Sequence, residues 1–393
     1  MTAESNSFEQ DLAARIEDLR RQELYRELRR VDSPQSARLH WDGREYLNFS
    51  SNDYLGLATH PALREAARQA IAEFGAGAGA SRLISGSLAP FHQLEETLAQ
   101  FKGTEAALSF ATGSAAALGT ITSLVGKGDF IVIDKLVHAS IVDAARLSGA
   151  RLRVFAHNDL DDLDQILAWV ARQSSKPRTL VVTESLFSMD GDQAPLRELV
   201  DLKDRHGAWL MIDEAHALGL FGPRRRGLAE HCGVADRIEI QMGTLGKAAG
   251  ASGGFICGSR RLVDFLVNRA RSFIFSTAPV PAAAAAARAG IELIAGPEGE
   301  RRCADLWDRV AQLGRHPAPI VPVVVGSESA ALDCAARLRE RGMFVLAIRY
   351  PTVARGQARL RITLTAAHTP ADVQALSDAL REFCPDASKP DRQ

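Results

Sequence analysis

From about residue 61 to residue 212 the sequence switches regularly between two periods. Stretches with apolar residues at helical spacing cover Pro61–Phe74, His92–Phe101, Ser114–Val125, Ala139–Leu147, Leu160–Arg172 and Leu196–His206. Between them lie short β-rich runs: Ala107–Phe110, Phe130–Ile133, Leu152–Phe155, Thr179–Thr183 and Trp209–Ile212, with Gly253–Cys257 further on. Strands that alternate with helices bury their apolar faces as a mostly parallel sheet covered on both sides. Such sheets hold ligands on the loops at the carboxyl ends of their strands. The residues that close each run are therefore the ones to read for chemistry.

Two of those closures stand out. Asp213-Glu-Ala-His216 follows Ala208–Ile212, and about thirty residues later Thr244-Leu-Gly-Lys247 follows a second apolar run, Arg237–Met242, which reads as another strand. They bring an acid, an imidazole, a hydroxyl and one lysine to strand ends. Pyridoxal phosphate (PLP) demands this set: a lysine to bond its aldehyde, a carboxylate for its ring nitrogen, and small residues that let backbone approach a phosphate. Lys247 sits in Gly243–Gly254, a stretch dense in small residues, where desolvation lowers an amine's pKa and makes it nucleophile and base. A surface lysine in a flexible loop is the plainer reading of Lys247 taken alone. A nucleotide loop is excluded, since Ala248 replaces the required Ser or Thr. Asp213 is expected opposite the ring nitrogen and His216 at the phenolic oxygen.

Further candidates surround this pair. Gly113-Ser114 opens a helix after the strand at 107–110, where free N–H groups and the helix dipole favour a phosphate. Ser188 and Thr244 offer hydroxyls from other strand ends, although each alone also reads as a cap or turn residue. His138 is placed to stack on a planar cofactor, with a structural histidine as the alternative. Arg359 and Arg361 share one face of a late strand, with Arg349 nearby, and a guanidinium grips a carboxylate bidentately; solvated arginines are the alternative. Gly75–Gly79 follows a helix and lacks the third glycine of a dinucleotide fingerprint, so it is expected to be a hinge or close-packed loop.

The bulk numbers bound the rest. A chain of 393 residues exceeds one ordinary core. The organisation expected is an N-terminal helix (about 8–30) and extended arm over 1–55, a large α/β domain over 56–290, and a smaller α+β domain over 291–393. That last part has strands at Ile320–Val325, Phe344–Leu346 and Arg359–Thr363, and helices at 328–341 and 370–383; the tail after Pro385 reads as disordered. A formal net charge of -1 gives no reason to expect nucleic acid or an anionic membrane as partner. The run Arg224–Arg226 reads as a solvated loop. Five scattered cysteines without CxxC spacing point away from disulfides and metal. No apolar signal core is present, and the alanine-rich Pro281–Ala287 is too short to span a bilayer, so a cytoplasmic enzyme is expected.

Taken together, Asn48–Gly56, Ser85-Gly86 with His92, Phe187–Gly191, Asp213–His216 and Thr244–Lys247 resemble the α-oxoamine synthases, fold-type I PLP enzymes. The resemblance runs from about Leu19 to Phe383. It implies Lys247 as the PLP-bonding lysine, with His138, Asp213 and His216 completing the catalytic set. Gly113, Ser114, Ser188 and Thr244 become cofactor contacts. Arg26, on the N-terminal helix, Asn52, His138, Arg349, Thr352 and Arg361 become substrate contacts. Ser276 and Thr277 reach the phosphate of a second subunit, which implies a homodimer with shared active sites. The reaction implied is decarboxylative condensation of a small amino acid with an acyl thioester. Phe155–Asp159, Ala347–Val353 and Ala358–Leu364 resemble the branch that takes alanine and a pimeloyl thioester, on CoA or a carrier protein. Thr244–Gly254 also resembles the branch that takes glycine and acetyl-CoA. Ser114 stands where relatives often carry an aromatic residue, Phe275 where some carry tyrosine, and the residues after Tyr350 also depart from the usual pattern, which bears on acyl-chain selectivity.

Overall fold

The structure, a computed structural model, describes residues 7–22, 24–173, 177–314 and 316–384. The tail after Pro385 lies outside them. At its centre is a seven-stranded sheet in the order Ala106–Phe110, Gly254–Gly258, Ile240–Thr244, Trp209–Asp213, Thr179–Glu184, Phe130–Asp134, Arg151–Phe155. All neighbours are parallel except Gly254–Gly258, which runs antiparallel to both of its partners. Alternate residues feed two cores. Val132, Val181, Leu210 and Ile212 point to one face, and Ile131, Ile133, Leu180, Val182 and Met211 to the other. This is the two-sided burial that near-continuous apolar strands require.

The smaller layer draws on both ends of the chain. Ile320–Gly326, Ala358–Thr363 and Leu346–Ile348 form an antiparallel sheet. Met343–Phe344 instead pairs in parallel with Arg44–Asn48, which in turn pairs with Arg38–Trp41. The N-terminal arm thus supplies strands to the C-terminal layer.

Several expectations are corrected. The N-terminal helix spans only Ser7–Arg21, not 8–30, so Arg26 lies beyond it. The Leu24 and Tyr25 N–H groups both close onto the Leu19 carbonyl (2.8 and 3.1 Å), which ends the helix. No helix residue is buried, so no packing extends it. The strand expected from Arg237 starts at Ile240, because Ala235–Arg237 forms a 3₁₀ turn. Glu239 there accepts from Lys203 (2.6 Å) and from the Leu210 N–H (2.8 Å). The helix Pro297–Leu313 had no counterpart in the periodicity, since only Gly296 separates it from Pro281–Ala295. Arg225 is not simply solvated: its Nε donates to the Ile294 carbonyl at 2.8 Å and caps that helix. A side chain at Gly75, Gly77 or Gly79 would meet nothing within 4 Å, so close packing does not explain that loop.

All five cysteines are free. Among the described residues no helix is long and apolar enough to cross a membrane, and no His/Cys/Asp/Glu group is arranged to hold a metal ion.

Candidate active site

Three adjacent strands end in buried acids: Asp134, Glu184 and Asp213. Parallel register sets Glu184 directly beside Asp213. Each acid is compensated differently. Asp134 faces His157 (3.0 Å), which also reaches Asp192 (2.7 Å). Burial works against a charged His157 ring, but the two carboxylates outweigh it and push its pKa to about 10. Glu184 accepts the His138 backbone N–H, while its Oε1 has no partner. Burial first, and then the neighbouring Asp213, push its pKa up to about 8. Burial also raises the Asp213 carboxyl, opposed by the charge of Lys247. Asp213 Oδ1 accepts the Ala215 N–H at 2.9 Å.

Lys247 lies in the tight loop after Ile240–Thr244. The loop closes through Gly250 N–H to the Lys247 carbonyl (2.9 Å), and Gly250 has φ +67°. A Cβ there would come within 2.5 Å of the Leu57 carbonyl carbon, so this position requires glycine. The loop presses Lys247 against His216, with Nζ 2.7 Å from Nε2. The pKa of Lys247 falls to about 8: desolvation lowers it, Asp213 and Glu184 pull it back up, and Arg361 lowers it further. His216 is held well below its ordinary value by burial and by the cations Lys247 and Arg361, so it is neutral.

A neutral imidazole has one N–H, and the contacts orient it. When Lys247 donates to Nε2, Nδ1–H donates to the Tyr54 hydroxyl 2.6 Å away, and Tyr54 donates to Asn52 Oδ1 (3.4 Å). Asn52 Oδ1 also accepts from Arg361 Nη2 at 3.2 Å. Arg361 is buried, yet its other partners are neutral: the Ser188 carbonyl (2.6 Å) and Thr363 Oγ1 (3.0 Å). Among the described residues no acid pairs with it, and a buried guanidinium without an acid is a site for an incoming carboxylate. Arg359 differs, because it pairs with Asp190.

The other candidates fall into four groups. Gly113 and Ser114 begin the helix Gly113–Leu124, capped by Thr112 Oγ1, which accepts the Ala115 N–H (3.0 Å). Thr244 Oγ1 donates to the Gly253 carbonyl (2.9 Å), fixing the turn, and the His138 ring caps the helix Ala139–Leu147 while remaining exposed. Arg26, Arg349 and Thr352 line a cavity of about 750 Å³ that also includes Met189, next to Ser188. Ser276 and Thr277 stand apart from the Lys247 network of their own chain, with Ser276 Oγ donating to the Thr277 carbonyl (3.1 Å). Sequence reading gave no role to Tyr54 or Glu184. Both were visible in principle, Tyr54 inside the Asn48–Gly56 turn and Glu184 as the residue closing its strand.

The donor set fits PLP. It provides a partly deprotonated amine, a strand-end carboxylate with one oxygen uncommitted to protein N–H groups, a neutral imidazole and an open helix N-terminus.

Comparison with known proteins agrees. Residues 44–380 match the family aminotransferase class I and II. The 8-amino-7-oxononanoate synthase of Anaeromyxobacter dehalogenans is 48% identical, with 95% of this chain and 96% of that protein covered. The synthase of the same name from Geobacter sulfurreducens is 47% identical, covering 92% and 95%. Among solved structures, a serine palmitoyltransferase from S. paucimobilis with bound PLP and myriocin superposes with a TM-score of 0.88 at 28% identity, covering 96% and 97%. The chain belongs to the aminotransferase class I and II family and, within it, to the α-oxoamine synthases.

Proposed function

We propose that this chain is a PLP-dependent acyltransferase that condenses L-alanine with a pimeloyl thioester, yielding 8-amino-7-oxononanoate, CO2 and the free thiol carrier, in biotin biosynthesis. The observation that carries the chemistry is Lys247, an amine with a pKa of about 8 beside a neutral histidine and a buried acid. The choice of substrates follows the relatives at 47–48% identity.

Bound PLP supplies an electron sink for negative charge developing at the Cα of the amino acid. Lys247 would take the Cα proton; an amine of pKa about 8 keeps a usable minority of neutral base near physiological pH, far more than an ordinary lysine. Asp213 would hold the ring nitrogen, and a protonated nitrogen opposite it favours its ionised form. His216 would donate to the phenolic oxygen through Nε2 once its proton lies there. Tyr54, on the other ring nitrogen, accommodates either tautomer. Gly113, Ser114, Ser188 and Thr244 would hold the phosphate, and His138 would cover the ring. Arg361, Asn52 and Tyr54 form a preset cradle for the amino-acid carboxylate. Ser276 and Thr277 serve a second subunit, so the working unit is a homodimer, expected in the cytoplasm.

Thiol release from the PLP-loaded protein tests this reading, crossing alanine, glycine and serine with pimeloyl-, acetyl- and palmitoyl-CoA. Alanine with pimeloyl-CoA is expected to dominate. A preference for glycine with acetyl-CoA would overturn the substrate assignment.

A further inference from the structure

We propose that Arg29 and Arg339 hold the distal carboxylate of the acyl substrate, which makes the chain selective for the mono-thioester of a dicarboxylic acid; this rests on the acyl-transfer reading above. The cavity of about 750 Å³ lies between the segment that follows the N-terminal helix and the C-terminal layer. One end reaches Met189, whose neighbour Ser188 accepts from Arg361. Phe344, Val345, Leu346, Ala347 and Ile348 supply apolar lining. Leu346 stands opposite Arg361 in the sheet register, so the apolar lining begins beside the cradle for the amino acid.

The lining ends under cations. The Arg29 guanidinium lies 5.8 Å from the Phe344 ring centre and 5.0 Å from that of Trp41, and Arg339 lies 5.8 Å from Trp41. Stacking holds a guanidinium by its flat face and leaves its N–H edges free for a carboxylate. Among the described residues neither arginine forms an ion pair or hydrogen bond with an acid, although Glu27 and Asp333 also line the cavity. Both arginines are solvent-exposed; an uncharged chain end gains nothing from them, whereas a carboxylate gains charge-assisted hydrogen bonds. CoA phosphates share the anion chemistry. The carboxylate is favoured because one cavity holds both arginines, apolar side chains and Met189, which adjoins Ser188 beside Arg361.

The test compares pimeloyl-CoA with heptanoyl-CoA, which has the same chain length and no distal charge, in wild type and in Arg29→Gln/Arg339→Gln. The pimeloyl-to-heptanoyl ratio of kcat/KM is expected to fall about tenfold or more in the variant, through KM rather than kcat. An unchanged ratio overturns the proposal; if KM rises equally for both thioesters, the arginines hold CoA phosphates instead. A binding arm is independent of turnover. Pimelate should stabilise the wild-type protein against heat more than heptanoate does, and the variant should lose that difference. No such difference in wild type also overturns the proposal. Wild type inert with alanine and pimeloyl-CoA, yet still preferring pimelate, would fault the reaction assigned above and leave the arginine site standing.

Discussion

Two lysines, Lys102 buried and Lys247 half-buried, show how one fold makes one amine inert and another reactive. Lys102 is 2% exposed and pairs with Glu214, which is 1% exposed. It also donates to the Arg226 carbonyl at 2.6 Å, and Glu214 accepts the Ala229 N–H at 2.9 Å. Lys247 has a neutral imidazole as its hydrogen-bond partner, and its acids act only through space. Glu214 and Asp213 are consecutive residues, yet one locks a structural lysine while the other faces the reactive one. Pairing quality, not burial alone, decides which amine is locked in place and which is left free to react.

The sharpest way to break this comparison is to remove each amine in turn. Lys247→Ala is expected to lower thiol release about 10³-fold or more, with the unfolding midpoint in urea preserved or raised. Lys102→Met leaves Glu214 buried and unpaired and should cost about 3–5 kcal/mol of stability in urea unfolding, while turnover per folded molecule stays near wild type. Should Lys102→Met unfold normally but lose activity, the assignment of roles is reversed. Asp213→Asn keeps the shape and removes the charge; kcat should fall about 10²-fold. Unaltered kcat there would remove Asp213 from the reaction. Tyr54→Phe takes one hydrogen bond from His216 and should reduce kcat/KM about fivefold, equivalent to about 1 kcal/mol.

A last comparison concerns pH. Glu184 has a folded pKa of about 8 against an ordinary 4.5, so the folded state binds the extra proton and stability falls as pH rises from 4.5 to 8. Lys247 works oppositely: its pKa of about 8 lies below the ordinary 10.5, the unfolded state binds the extra proton, and stability rises from pH 8 to 10.5. Glu184→Gln should flatten the first limb and leave the second. Urea midpoints across pH 5–10 read both.

Much of this was legible because strand periodicity and strand-end residues are local. Lys247, Asp213 and His216 announced themselves by following apolar runs, and the flanking strands bring them together at one end of the sheet. What stayed hidden depends on pairing at a distance. That Arg359 is consumed by Asp190 while Arg361 meets only neutral groups cannot be seen in two alternate arginines. Nor does the sequence reveal that Glu184 lies in register with Asp213, or that Arg44–Asn48 joins Met343–Phe344 across almost the whole chain. The N-terminal helix was read too long because Leu24 fits its period, although the backbone turns away after Arg21.

The most direct test is to load the protein with PLP, reduce it with borohydride and map the modified lysine by peptide mass spectrometry. The account predicts a single phosphopyridoxyl mark on Lys247 and none on Lys102. A mark on any other lysine, with Lys247 unmodified, would contradict it.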